Sequence, residues 1–549
     1  MKAIGALMNG LNERMNPLVL KELRQAVRSR FVAVVLMLFL AVLLLIISVY
    51  VMASNNLQAD MSAGREVFMG LQVALLITTL LFTASYCGIR MAVERSQANM
   101  DLLFITTARP SSIIWGKFVA GLALTMMIFA SAAPFMVLTY LLRGIDVPTV
   151  LFILAVDLLA ILTVMQAAML VGAMPTGLVL KVILALLLLA GVIMTFGTIT
   201  GVTTSTLFMG LAGLFDPGTF WPIFGSITLS VLGGVGILFF LTVACVSPPS
   251  SNRALAPRVF VTGLWLVTGL VFGGLWYTQA IPGGIVAVVG WALGSLALFF
   301  LAMFIGISER DVLGRRLRSE IPRNPIGRAL VFPFYSGAAA GLFWAGALSA
   351  VTIVVTWIAM NESTGAVTAL TSGAERRAMV AAMVAIPLFG LCYPLTANAI
   401  RLFIGRHRVK TVITGPLALA LVAVACAVPP LVVFLIDPMG LSGEHPAWLL
   451  VNPMVVFWFM DSVNAGAADN TNYRILGLML LSVWFGLVLM VNTPWLLGQV
   501  RQFKPLSADK AQAPQETEAA PAAGASDDWA AGAEPAVTRE PGQTVNTNS

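Results

Sequence analysis

Residues 31–53 read FVAVVLMLFLAVLLLIISVYVMA, an unbroken apolar run without a single charge. At about 1.5 Å per residue, an α-helix of this length crosses a hydrocarbon core of about 30 Å. The run lacks the apolar and polar alternation of a membrane barrel strand, and in lipid only a helix satisfies every backbone group within its own segment. It therefore predicts a transmembrane helix, and the chain around it repeats the pattern. Further runs of roughly 18 to 25 residues lie near 67–89, 118–142, 149–173, 181–203, 227–246, 259–277, 285–307, 337–360, 378–400, 411–436 and 475–497. The expected fold is an all-α, polytopic helical bundle of about twelve transmembrane helices, embedded in the lipid bilayer.

The bulk composition agrees with this reading. Hydrophobic residues make up 59% of the 549-residue chain, charged residues only 10%, and the mean hydropathy is +0.92. These values lie far outside the range of water-soluble domains. Basic residues orient the bundle, because short loops rich in Lys and Arg stay in the cytoplasm. With the N-terminus inside, the outer connections hold only Arg65, Arg143, Arg376, Arg377 and Arg474. The rest of the 32 Lys and Arg fall on the inner side. Both termini are thus expected in the cytoplasm, and the net charge of +7 is explained by basic loops beside anionic headgroups, without a nucleic-acid partner.

Several functional classes lack their chemistry here. His407 and His445 are the only histidines, and the topology puts them on opposite sides of the membrane. The four cysteines, Cys87, Cys245, Cys392 and Cys426, sit in or at the edge of spans without metal-ligand spacing and read as small packing residues. No Walker phosphate loop and no nucleophile elbow occurs, so no catalytic residue, bound cofactor or metal is expected. The first apolar run begins only after residue 30 and is too long for a cleavable signal, so none is expected.

Outside the spans, three segments stand out. Residues 17–30, PLVLKELRQAVRSR, follow Asn16 and open on Pro17, an N-cap and first-turn pair that favours helix initiation. Leu18, Leu20, Leu23 and Val27 give an apolar stripe while Lys21, Arg24, Arg28 and Arg30 face headgroups, which predicts an interfacial helix. Residues 94–117, ERSQANMDLLFITTARPSSIIWGK, form an amphipathic loop in which a helix over 99–106 carries Met100, Leu103 and Phe104 on one side. Exposed apolar residues on such a loop suit a docking surface. Residues 204–226 and 437–474 are broken by Gly, Pro and charge yet rich in aromatics, and predict interfacial or re-entrant elements with Trp221, Trp448 and Trp458 at headgroup depth.

The elbow and loop together resemble the permease subunits of ATP-binding-cassette (ABC) exporters of the second type. Asn16, Pro17, Lys21, Glu22 and Arg24 match the elbow of that family. The loop is matched by Glu94 and Arg95, then by Asn99, Met100, Asp101, Leu102, Leu103 and Thr106, and finally by Gly116 and Lys117. Asn99 stands where the family has Thr, and Pro110 falls three residues later than its usual proline. The resemblance covers about residues 15–246.

It implies a transporter subunit in a plasma membrane, such as a bacterial inner membrane, whose loop helix seats in a separate ABC-type ATPase at the cytoplasmic face. ATP and magnesium would be bound by that partner and not by this chain. A second copy or a second permease subunit would be a further partner. Two rival classes are a lipid-linked glycosyl or acyl transferase, for which Asp60 and Glu66 are outer candidates, and an ion-coupled carrier.

The chain divides into a cytoplasmic N-terminus with its elbow (1–30), a first six-helix domain (31–246) with the coupling loop 91–117, and a linker (247–258). A second six-helix domain (259–497), a candidate diverged repeat, is followed by a tail (498–549) too polar to fold. Each half would carry one aromatic outer element between its fifth and sixth spans. Asp157 is the one acidic residue deep in a span. Burying its charge would cost about 2.5 to 3.5 kcal/mol on the insertion scale, so it either lines a substrate path, or is protonated or bonded to a neighbouring helix through a residue such as Gln166. A topology reporter fused after residue 250, 320 or 405 should read cytoplasmic, and one at 365 or 445 external. Two contrary readings among these five would refute the twelve-span arrangement.

Overall fold

The computed structural model describes residues 17–53, 63–94, 109–142, 144–210, 217–248, 250–280, 284–362, 373–405, 410–436, 452–454, 456 and 470–505. Among the described residues all regular structure is helical, and twelve helices are long and apolar enough to cross a membrane. These spans, numbered in chain order, are Arg30–Met52, Gly64–Glu94, Pro110–Leu141, Val147–Ala173, Val179–Met209, Gly218–Val246, Leu255–Tyr277, Gly284–Ile307, Ala338–Glu362, Arg376–Ile404, Thr411–Val432 and Arg474–Gln502. Everything to Lys504 forms one compact unit. A second unit starts at Pro505, and all of it beyond Pro505 lies outside the described residues.

Each of the twelve apolar runs becomes one span, but several helices extend past the hydrocarbon-length core. The fifth helix continues to Met209, and the sixth begins at Pro217, with Pro at its first position where no N–H is needed. The segment 204–226 is therefore mostly an extension of two spans and not a separate re-entrant element. Trp221 lies exposed on the first turns of span six, while Trp448 and Trp458 lie outside the described residues. The last helix likewise runs to Gln502, past the expected end at 497.

Lipid gives apolar helices no solvent-driven reason to associate, so small residues and polar pairs must hold the spans together. Both devices are visible. Spans two and four cross so closely that a Cβ on Gly172 would collide with the Gly88 carbonyl, and spans eight and nine touch through Gly306 and Gly341. Span two also contains a π turn, Thr79–Thr83, with Thr79 and Thr83 buried. Such turns insert one extra residue and re-aim the helix.

The two halves pack alike. In the first, span two packs on spans one, three, four and five, span four packs on three, five and six, and span six on three. In the second, span eight packs on seven, nine, ten and eleven, span ten on nine, eleven and twelve, and span twelve on nine. Spans one and three touch, and spans seven and nine are joined by Trp265 Nε1 donating to Thr352 and Trp344 Nε1 donating to Thr262, each at 3.0 Å. The halves meet where span six packs on span seven.

Candidate functional site

The expected elbow is present as the helix Pro17–Val27, and it packs on span three. Its buried face differs from the expected leucine stripe. Val19, Glu22 and Ala26 are buried, while Leu20 and Leu23 are only half-buried and Lys21 and Arg24 are exposed. The reason is Glu22: its carboxylate turns inward toward Lys117, which is itself only 4% exposed.

Lys117 Nζ donates to Glu22 Oε1 at 3.2 Å and to Glu94 Oε1 at 2.6 Å. One ammonium thus joins three elements: the elbow, the last residue of span two and the second turn of span three. Gly116, beside it, is buried. Arg90, one turn before Glu94, lies over the Tyr86 ring at 5.5 Å. Both ends of the segment between spans two and three are therefore fixed to the elbow. Of the predicted docking residues, Arg95, Asn99, Met100, Asp101, Leu102, Leu103 and Thr106 lie outside the described residues, as does Asn16.

Asp157 is fully buried, and its partner is not Gln166. Gln72 Nε2, from span two, donates to Asp157 Oδ1 at 3.0 Å and to Thr203 Oγ1 of span five at 2.9 Å. Asp157 Oδ2 and Gln72 Oε1 have no hydrogen-bond partner among the described residues. Gln166 instead donates to Thr242 of span six at 3.2 Å. These three bonds pin span two to spans four and five and, separately, span four to span six.

The second half holds two polar knots. Arg258, at the start of span seven, donates to Glu309 Oε1 at 2.5 Å, and Glu309 Oε2 accepts the Gly337 N–H at 2.7 Å. Burial pushes the Glu309 carboxyl above its ordinary pKa, while the Arg258 charge and the Gly337 N–H pull it back. Glu309, just past the inner end of span eight, corresponds to Glu94 at the end of span two. The connection that follows it folds as two short helices, Arg315–Ser319 and Pro325–Val331, with Ile326 and Leu330 each 69% exposed.

The larger knot centres on Asp311. It pairs with Arg401 at 2.8 Å and accepts from Trp495 Nε1 and Gln499 Nε2 at 3.0 Å each. Arg401 Nε reaches Asn398, which donates to Asn492 at 2.8 Å. Arg401 Nη1 also donates to Thr411 Oγ1 at 3.0 Å, so spans ten, eleven and twelve and the connection between spans eight and nine meet here. The signal was present in the sequence as Asn398, Arg401 and Asn492 within apolar runs, since polar residues inside spans mark partnered sites. Arg401 was counted only as an orienting charge.

Among the described residues no group of three His, Cys, Asp or Glu could hold a metal ion. No model of a known family, no curated protein and no solved structure matches this chain.

Asp311→Asn removes the charge that compensates a buried guanidinium. Leaving one partner of such a pair alone commonly costs about 3 to 5 kcal/mol, so the thermal midpoint in detergent should fall by several degrees. Arg316→Ala breaks only an exposed pair with Glu320, 3.9 Å apart, and should leave the midpoint unchanged. Equal midpoints for Asp311→Asn and wild type would contradict the assignment.

Proposed function

We propose that this chain is the membrane-spanning permease of an ABC-type transporter, energised by a separate ATPase subunit docked on the basic face of the bundle. The observation that carries the reading is the Lys117 clasp. It takes three of the residues on which the family resemblance rests, Glu22, Glu94 and Lys117, and joins them in one ion cluster in which Glu22 and Lys117 are buried. A partner that grips residues 95–108 would pull on the elbow and on spans two and three together, because all three are tied at that point. An ATPase can drive such a change only if its ATP-bound and free forms prefer different arrangements of the spans. The chain itself would bind neither ATP nor magnesium.

The repeated packing supports a further element of the proposal. Spans two and three are joined at the clasp, and spans eight and nine at Glu309 and Gly337, on the same side of the bundle. One chain would then supply both permease halves, and the exposed Ile326 and Leu330 would meet the second ATPase of a pair. An ion-coupled carrier is the second reading, favoured by the buried Asp157 beside Gln72 and Thr203.

Replacing Leu103 with Asp tests the first reading. A charge at an apolar anchor commonly costs about 2 kcal/mol or more of binding, roughly thirtyfold in affinity. An ATPase subunit that co-purifies with wild type should fail to co-purify with the variant, while the level of the permease in the membrane stays normal. An unchanged yield of the complex would overturn the docking role of the loop, and transport without any ATPase would favour the carrier.

A further inference from the structure

Span five is held to the bundle along only part of its length. From Val192 onward it buries Val192, Ile199, Thr203, Thr206 and Leu207, but from Val179 to Gly191 it buries nothing. In that stretch Lys181, Leu184 and Leu188 are its only half-buried residues. The helix therefore stands away from spans two and four at its N-terminal end. A groove of about 340 Å³ lies between them.

Its floor is smooth because the residues facing it are small: Gly88 and Ala92 on span two, Ala168 and Gly172 on span four. Ala185 faces them from span five. The same small side chains let spans two and four pack in direct contact, so the floor cannot close up to fill the groove. On span five the lining runs from Lys181 to Val192, roughly 16 Å at 1.5 Å per residue. That is about half of a hydrocarbon core of about 30 Å, the depth of one leaflet.

Apart from the Ser85 hydroxyl, the groove is apolar except at one end. Lys181 is its sole charged lining residue, and among the described residues no carboxylate pairs with it. It sits at the start of span five, on the side where the basic connections lie, which the charge bias makes cytoplasmic. A cation at headgroup depth above a leaflet-deep apolar slot matches one molecule in both chemistry and length. We infer that this groove holds a single anionic phospholipid of the cytoplasmic leaflet, its acyl chain between spans two, four and five and its phosphate on Lys181. Basic pockets between helices on the cytoplasmic side recognise anionic headgroups in this manner. The lipid acts as packing for the free end of span five. The inference does not depend on the transporter reading, since it requires only the groove and its charge.

The test is native mass spectrometry of the delipidated full chain titrated with dioleoylphosphatidylglycerol or dioleoylphosphatidylcholine. One phosphatidylglycerol should bind ahead of all others, about fivefold more tightly than phosphatidylcholine, as expected for about 1 kcal/mol from one lysine near the surface. Lys181→Gln should erase that preference while still binding either lipid. Ala185→Trp, which fills the slot from an exposed position, should abolish the first tight site for both. Each variant must first give a monodisperse peak with the wild-type midpoint in the absence of lipid. A variant that fails this control is replaced by Lys181→Met or Ala185→Phe. Equal affinity of wild type for the two lipids, or an unchanged first site in Ala185→Trp, would overturn the inference. Competition by glycerol phosphate alone would overturn it too, because a headgroup site would then exist without the acyl slot.

Discussion

The ammonium of Lys117, shared between the carboxylates of Glu22 and Glu94, is the interaction on which the inner end of the first half depends. Lys117 and Glu22 are both taken out of water, while Glu94 stays partly exposed, and the attraction repays that cost only where geometry is tight. The cost gives the arrangement its specificity: without Lys117 the buried Glu22 carboxylate has no compensating charge, and without Glu22 the elbow loses its ionic tie to span three. The elbow therefore cannot slide along span three, and span two cannot end elsewhere. The second half meets the same need with other residues, Arg258 replacing the lysine and the Gly337 N–H supplying the bond from the start of the third helix.

Deeper in the bundle the same logic operates without full charge pairs. Gln72 bridges Asp157 and Thr203, Gln166 reaches Thr242, and Asn398 reaches Asn492. In an apolar solvent each such bond ties two helices that dispersion alone would leave free to rotate. Glycines and alanines supply the close approach that brings these groups within reach. The bond from Gln166 to Thr242 between spans four and six has its counterpart in the bond from Asn398 to Asn492 between spans ten and twelve.

Much of this was legible in the sequence, and the remainder was not for identifiable reasons. Span number and order follow from run length, because the hydrocarbon thickness imposes one simple requirement on every segment. Helix ends were less legible: residues 204–209 and 217–226 continue the spans because a helix need not stop where the lipid core does. The elbow was readable from Asn16 and Pro17, but its buried face was not. Periodicity favoured the leucines, whereas the single bond from Glu22 to Lys117 decided the rotation. Partner choice is a property of three-dimensional neighbours, so Asp157 could be flagged while Gln72 could not. Arg401 and Asp311 are separated by a long stretch of chain, so no local pattern joins them, although together they form the most connected polar knot of the second half.

The central claim is that Glu22 and Lys117 are one energetic unit fixing the elbow to the membrane bundle. A double-mutant cycle with Glu22→Gln and Lys117→Met, read as thermal midpoint of the purified chain in detergent, tests it directly. Glu22→Gln should lower the midpoint when Lys117 is present. With Lys117→Met already in place it should have no effect or raise the midpoint, because the carboxylate it removes would be buried without a partner. Equal shifts in the two backgrounds would mean that the residues do not interact in the folded protein, and would contradict the account.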